Sequence, residues 1–178
     1  MTEKKSAWSQ RPAWRLAWCA LGIGAGLSLA LAVVLPPASP LLFAPLGASS
    51  MFLFGLTSMP AAQPRALFGG HLGCAAIGIA AYQGLGDALW VYALAQSLAL
   101  IYMLGCRVMH PPAGANPALM IHGHAGLSVL WDPVLVGLLC LAGVAFVWSR
   151  LYPGLTRWPG RWWAPMPDGD RLGSGWRG

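Results

Sequence analysis

Charge is what this sequence has least of. Only 9% of its 178 residues are Asp, Glu, Lys or Arg, whereas 57% are hydrophobic. A water-soluble domain of average composition carries about a quarter charged residues, so that class is excluded. Acidic residues are the scarcest: Glu3, Asp87, Asp132, Asp168 and Asp170 are the whole set. All five fall at the ends of apolar runs or in loops. No carboxylate therefore lies at mid-span, where a cation or proton pump usually needs one. The four cysteines, Cys19, Cys74, Cys106 and Cys140, are scattered through apolar stretches. They lack metal-ligand or disulfide spacing and read as small hydrophobes. His122-Gly-His124 has no further close ligands, so neither a metal nor a cofactor is expected.

What the sequence does have is long apolar runs. Residues 16–35, 66–83, 88–105 and 133–150 each approach the length of about 20 residues that crosses a bilayer as a helix. The expected class is an all-α integral membrane protein. Lys4, Lys5, Arg11 and Arg15 precede the first run, and Arg150, Arg157, Arg161, Arg171 and Arg177 follow the last. The positive-inside bias then puts both termini in the cytoplasm, and these charges read as topology signals rather than as a nucleic-acid surface. The first run is long and lacks the usual cleavage pattern, so it does not read as a secretory signal. The domain reading is a basic cytoplasmic segment at 1–13, a membrane domain at 14–151, and a cytoplasmic, irregular tail at 152–178 rich in Trp, Arg, Pro and Gly. The expected location is a bacterial inner membrane, with several passes.

Between these runs lie two similar strings, FAPLGASSMFLFG and HPPAGANPALMIHGH. Both carry Pro-x-Gly-Ala and a small polar residue: Pro45, Gly47, Ala48, Ser49 and Pro112, Gly114, Ala115, Asn116. The offset is 112 − 45 = 67 residues. Each half of the membrane domain, about 14–83 and 86–151, thus reads as span, broken segment, span. If both broken segments cross, there are six spans in two inverted repeats, Arg65 and Arg107 lie inside with the termini, and Asp87 and Asp132 lie outside. If both segments dip and return, there are four spans plus two re-entrant segments, and those charges change sides. The positive-inside bias favours six.

Non-helical backbone survives at membrane depth only where protein or a polar cavity surrounds it. Matched Pro/Gly interruptions in two halves are the best sequence pointer to a midplane site. A helix beginning just after each motif would offer unpaired N–H groups and a partial positive charge, which suits an anion. The polar residues in or beside apolar segments can all donate: Ser49, Ser50, His71, Gln96, His110, Asn116, His122 and His124. Gln96 reads as an interhelical hydrogen bond, and His122 and His124 as residues near an outer mouth. The bland alternative is that the breaks serve packing alone. Gly22 with Gly26, and Gly69 with Gly73, are small-xxx-small pairs that let helices approach closely.

The string HPPAGA at 110–115 resembles the signature of the HPP family of integral membrane proteins. PLGASSMFLF at 45–54 and QPRALFGGHLG at 63–73 resemble two further blocks of that family, in the expected order. The resemblance covers about 14–150. It implies a small helical membrane domain, often described as four-spanning, with members linked to nitrite transport. It implicates Pro45, Gly47, Ala48, Ser49, Gln63, Pro64, Arg65, Gly70, His71, His110, Pro111, Pro112, Gly114 and Ala115. The chain departs from many relatives at Asn116-Pro117.

The expected function is a transporter or channel, not an enzyme, for a small inorganic anion such as nitrite. The expected binding residues are Pro45, Gly47, Ala48, Ser49, Ser50, His71, His110, Pro112, Gly114, Ala115 and Asn116. The imidazoles would supply tunable positive charge. The other expected partners are the lipid bilayer and further copies in a homo-oligomer. Two alternatives stand beside it: a membrane enzyme or cofactor-binding subunit using the histidines, and a structural or assembly subunit.

Overall fold

The structure is a computed structural model that describes residues 12–34, 40–151 and 156–163. Among these, every regular element is helical. Six helices follow in order: α1 Pro12–Val33, α2 Ala44–Gly55, α3 Pro64–Leu85, α4 Leu89–Gly105, α5 Asn116–His122 and α6 Val136–Leu151. Residues 1–11 and 164–178, with most of the expected cytoplasmic segments, lie outside the described residues.

Local chemistry accounts for the boundaries. Pro64 opens α3, where its missing N–H costs nothing. Gly86, at φ 82°, closes α3 in a conformation that favours glycine, and its N–H bonds to Tyr82 O at 2.8 Å. Three residues later α4 starts, so the two helices form an antiparallel hairpin. A short 3₁₀ turn, Pro40–Phe43, leads into α2, and another, Pro111–Ala115, leads into α5. Before α6 the chain kinks at Asp132, whose extended backbone precedes Pro133.

Two stretches are long and apolar enough to cross a membrane on their own: 13–33 and 130–151. α2, with 12 residues, and α5, with seven, are short. At 1.5 Å per residue they reach about 18 and 10 Å against roughly 30 Å of hydrocarbon, so only their 3₁₀ lead-ins and flanking turns extend them. Large apolar side chains are exposed along α1, α4 and α6, including Leu16, Leu21, Leu89, Ile101 and Val147. That surface is what lipid covers.

Contacts order the two ends of the bundle. At one end Trp18 stacks on Trp148 with centroids 4.4 Å apart, Arg65 Nη2 donates to Cys106 O at 2.9 Å, and Trp158 Nε1 donates to Ala62 O at 2.7 Å. At the other end His124 meets Asp87 at 3.1 Å and stacks on Tyr82. Following α1 from Trp18, Gly22 faces Phe54 and Trp148, and Gly26 faces Leu141. Gly137 faces Leu46 and Val34. α2 and α6 therefore both run opposite to α1. Gly69 and Gly70 face Val108, and Gly78 faces Pro117 and Met120, so the segment 108–124 runs alongside α3 in the same direction. α1 packs on α6 as α4 packs on α3, α2 on α1 as α5 on α4, and α2 on α6 as α5 on α3. The glycine pairs 22/26 and 69/73 are used for close packing within this chain.

A candidate ion site between two broken helices

The two motif segments meet. The turn Pro111–Ala115 packs on α2 and α3, and the turn Pro40–Phe43 packs on α5. At the junction Ser49 comes from α2, His71 from α3, His110 from just before the second turn, and Asn116 from the first position of α5. Their exposures are 0%, 1%, 0% and 2%. Buried polar groups must find partners or cost several kilocalories, and these four find one another.

Ser49 Oγ is the hub. It lies 2.8 Å from His71 Nε2, 2.7 Å from His110 Nε2 and 2.8 Å from Pro45 O. Asn116 Nδ2 lies 3.0 Å from both His71 Nδ1 and His71 O. His110 Nδ1 donates to Ala61 O at 2.6 Å. The imidazole centroids are 5.1 Å apart, and Phe52 closes one side of His110 with centroids at 5.6 Å. Gly70 makes the approach possible: a Cβ there would lie 2.9 Å from His110 Cβ and 3.1 Å from Val108 O. Among the described residues, no group of three or more His, Cys, Asp or Glu side chains could hold a metal.

The other expected residues surround this hub without joining it. Pro45 and Pro112 are buried, Ala48 and Gly114 are half-buried, and Ala115 is exposed. Ser50 turns back to Gly47 O at 2.6 Å. The first motif differs from expectation in one respect. α2 does not begin after Gly47–Ser49 but at Ala44, so the motif occupies its first two turns. Pro45 falls where helices tolerate proline, and Ser49 is far enough along for its N–H to join the helical ladder. Neither Ser49 nor Asn116 caps a helix. The second motif does end where α5 starts. Gln96, as expected, makes an interhelical bond, from Nε2 to Gly114 O at 2.7 Å. His122 and His124 are exposed at the end opposite Arg65.

Sequence reasoning from the residues missed the loop beneath the site. Gln63 Nε2 donates to Thr57 O and Met59 O, and Gln63 Oε1 accepts from the N–H groups of Gly160 and Arg161. Residues 156–163 have no regular structure, yet Trp158 is 2% exposed. The tail thus braces the turn that carries Ala61. Backbone carbonyls such as that of Ala61 leave no sequence signature.

This arrangement carries the blocks that distinguish one family, and the sequence profile for the HPP transmembrane region matches residues 9–159. The chain belongs to the HPP family. Two transmembrane proteins of Dictyostelium discoideum are similar to this HPP chain, at 30% and 29% identity over 124 residues. The match covers 65% of this chain and 43% and 40% of theirs, so the matched region is well under half of each relative. No solved structure matches this HPP protein.

Proposed function

We propose that this HPP protein moves a small monovalent anion across the membrane, with nitrite the first candidate. One observation carries the reading: four buried polar side chains, Ser49, His71, His110 and Asn116, converge where the two Pro/Gly motif segments meet. No Asp or Glu is among the buried polar residues there. A buried polar cluster with two imidazoles and no carboxylate suits an anion better than a cation, and ionisable groups at this depth are functional by default. In this reading Gly47 and Gly114 flank the path and the two imidazoles tune its charge.

The reading includes six crossings in two inverted repeats. Support comes from the alternating helix directions and from the matched packing of α1–α2–α6 with α4–α5–α3. Arg15, Arg65, Arg107 and Arg150 then share the cytoplasmic face, and Asp87, His124 and Asp132 the outer one, in keeping with the positive-inside bias. A bacterial inner membrane and a homo-oligomer complete the proposal.

Ser49, His110 and Ala61 O also have the connectivity of an activated nucleophile, its base and an orienting group. Three polar atoms already surround the buried Ser49 Oγ, so a substrate carbon, like an anion, reaches it only when the packing around the cluster opens. Nitrite uptake by liposomes containing only the purified protein tests transport. Uptake no faster than in protein-free vesicles, and equally slow with nitrate, formate and chloride, returns the chain to the enzyme or assembly-subunit readings.

A further inference from the structure

The partners of the buried cluster dictate where its protons sit. His71 O can only accept, so the Asn116 atom 3.0 Å from it is the amide nitrogen. That nitrogen also donates to His71 Nδ1, which leaves the His71 proton on Nε2, directed at Ser49 Oγ. At the far end Ala61 O can only accept, so His110 Nδ1 carries a proton and its Nε2 is bare in the neutral ring. The Ser49 hydroxyl proton fills that position. The line from Asn116 to Ala61 is satisfied with both imidazoles neutral.

One more proton fits without moving a heavy atom. Ser49 Oγ is also within 2.8 Å of Pro45 O. When the hydroxyl turns to that carbonyl, its lone pairs face both Nε2 atoms. His110 can then hold a proton on each nitrogen. One proton delivered as hydronium from the bulk forms the new N–H bond on His110 and leaves a water molecule behind, the Ser49 O–H bond is kept and redirected, and nothing is oxidised or reduced. His71 cannot load instead. A proton on its Nδ1 would face the Asn116 amide, which is anchored on His71 O. A second imidazolium 5.1 Å from the first is also disfavoured by like charge.

We propose that this cluster is a proton site that loads together with the anion, so that the protein is a symporter of one proton with one anion. The proposal rests on the transport reading. The groups facing His110 are Ser49 and Phe52 from α2, Ala61 from the turn before α3, and Gly70 and His71 from α3. Of these only His71 titrates, and none is a carboxylate. A buried imidazolium without a counter-charge is costly, so its partner must arrive with the substrate. Conversely, an anion in this dry site needs a positive charge. Each makes the other's binding favourable, which is coupling in the thermodynamic sense. The imidazole takes the part that a buried carboxylate plays in other proton-coupled carriers.

The test uses the full chain in liposomes with a pH-sensitive dye inside and the voltage clamped by potassium and valinomycin. Sodium nitrite added outside should acidify the lumen beyond protein-free vesicles, by about one proton per nitrite given a single loading site. Nitrite uptake without that acidification overturns the proton site and leaves transport intact. A second measurement does not depend on flux. In protein labelled with ¹⁵N-histidine, His110 is identified by loss of its signals in His110→Gln. Nitrite or nitrate at pH 7 should convert it from the Nδ1–H tautomer to imidazolium, and Ser49→Ala should reduce that conversion several-fold. A His110 ring that stays neutral with both anions overturns the proposal, whatever the flux.

Discussion

Ser49 Oγ sits 2.7 Å from His110 Nε2, across 61 positions of sequence. The two residues belong to different halves of the chain, one inside the first Pro/Gly motif and one at the threshold of the second. Their contact joins the halves chemically as well as by packing, as do those of Asn116 with His71 and of Arg65 with Cys106 O. Neither residue can leave without stranding a buried group: Ser49 holds both imidazoles, and His110 holds Ala61 O.

We therefore predict that His110→Ala and His71→Ala each lower nitrite flux at least tenfold. Each should also destabilise the protein by about 1 to 3 kcal/mol, because partners are left unpaired in a dry environment. Thermal unfolding in detergent measures the second effect, and flux normalised to folded protein the first. Normal flux in both variants would make these histidines structural only.

Topology has a built-in probe. Cys106 is exposed at the Arg65 end, whereas Cys74 is buried. A membrane-impermeant maleimide should label Cys106 in inside-out vesicles and not in intact cells, and Cys106→Ser should abolish that signal. A cysteine placed at Asp87, in a Cys106→Ser background, should show the opposite sidedness. Labelling of Cys106 from outside would end the six-crossing reading.

The tail brace makes a separate prediction. Trp158 buries its indole against the core and donates to Ala62 O, one residue from the carbonyl that orients His110. Trp158→Ala should cost about 3 to 5 kcal/mol, as large core truncations do. Trp158→Phe keeps most of the packing and loses the hydrogen bond, for about 1 kcal/mol. If the brace also positions His110, the Phe variant should slow flux more than its small loss of stability explains. Unchanged flux in Trp158→Phe would confine Trp158 to stability.

Much of this was legible in the sequence because membranes leave few options. Apolar runs near 16–35, 66–83, 88–105 and 133–150 became α1, α3, α4 and α6, with ends shifted by only a few residues. Ser49, His71, His110 and Asn116 stood out because donors are rare in apolar stretches. What could not be read was their mutual arrangement. The start of α2 at Ala44 was hidden by Pro45, which signals a break yet fits a first helical turn. Gly78 gave no motif, although a Cβ there would lie 2.6 Å from Pro117 Cα, so it sets the α3–α5 crossing. The Ala61 carbonyl and the Trp158 brace depend on contacts 49 and 96 residues apart in sequence.

The last prediction concerns Gly47 and Gly114, which the 67-residue offset makes equivalent. A Cβ added at Gly47 meets nothing within 4 Å, and one at Gly114 meets only the Gln96 amide at 3.5 Å and the Met103 methyl at 4.0 Å. Both are therefore unlike Gly78, where added bulk strikes backbone. Gly78→Val should prevent folding or lower the melting temperature steeply, whereas Gly47→Val and Gly114→Val should fold. That separates packing from function. If the half-buried space beside these glycines is the anion's path, a valine at either position narrows it and abolishes flux in a folded protein. Ser49→Ala and Asn116→Ala, which remove hydrogen bonds worth about 1 to 3 kcal/mol near charge, should weaken flux less completely. The inverted-repeat reading requires the two glycine variants to fail alike. If both fold and one transports normally while the other does not, the path is not shared between the halves. Normal flux in both would mean that the space beside them faces lipid rather than substrate.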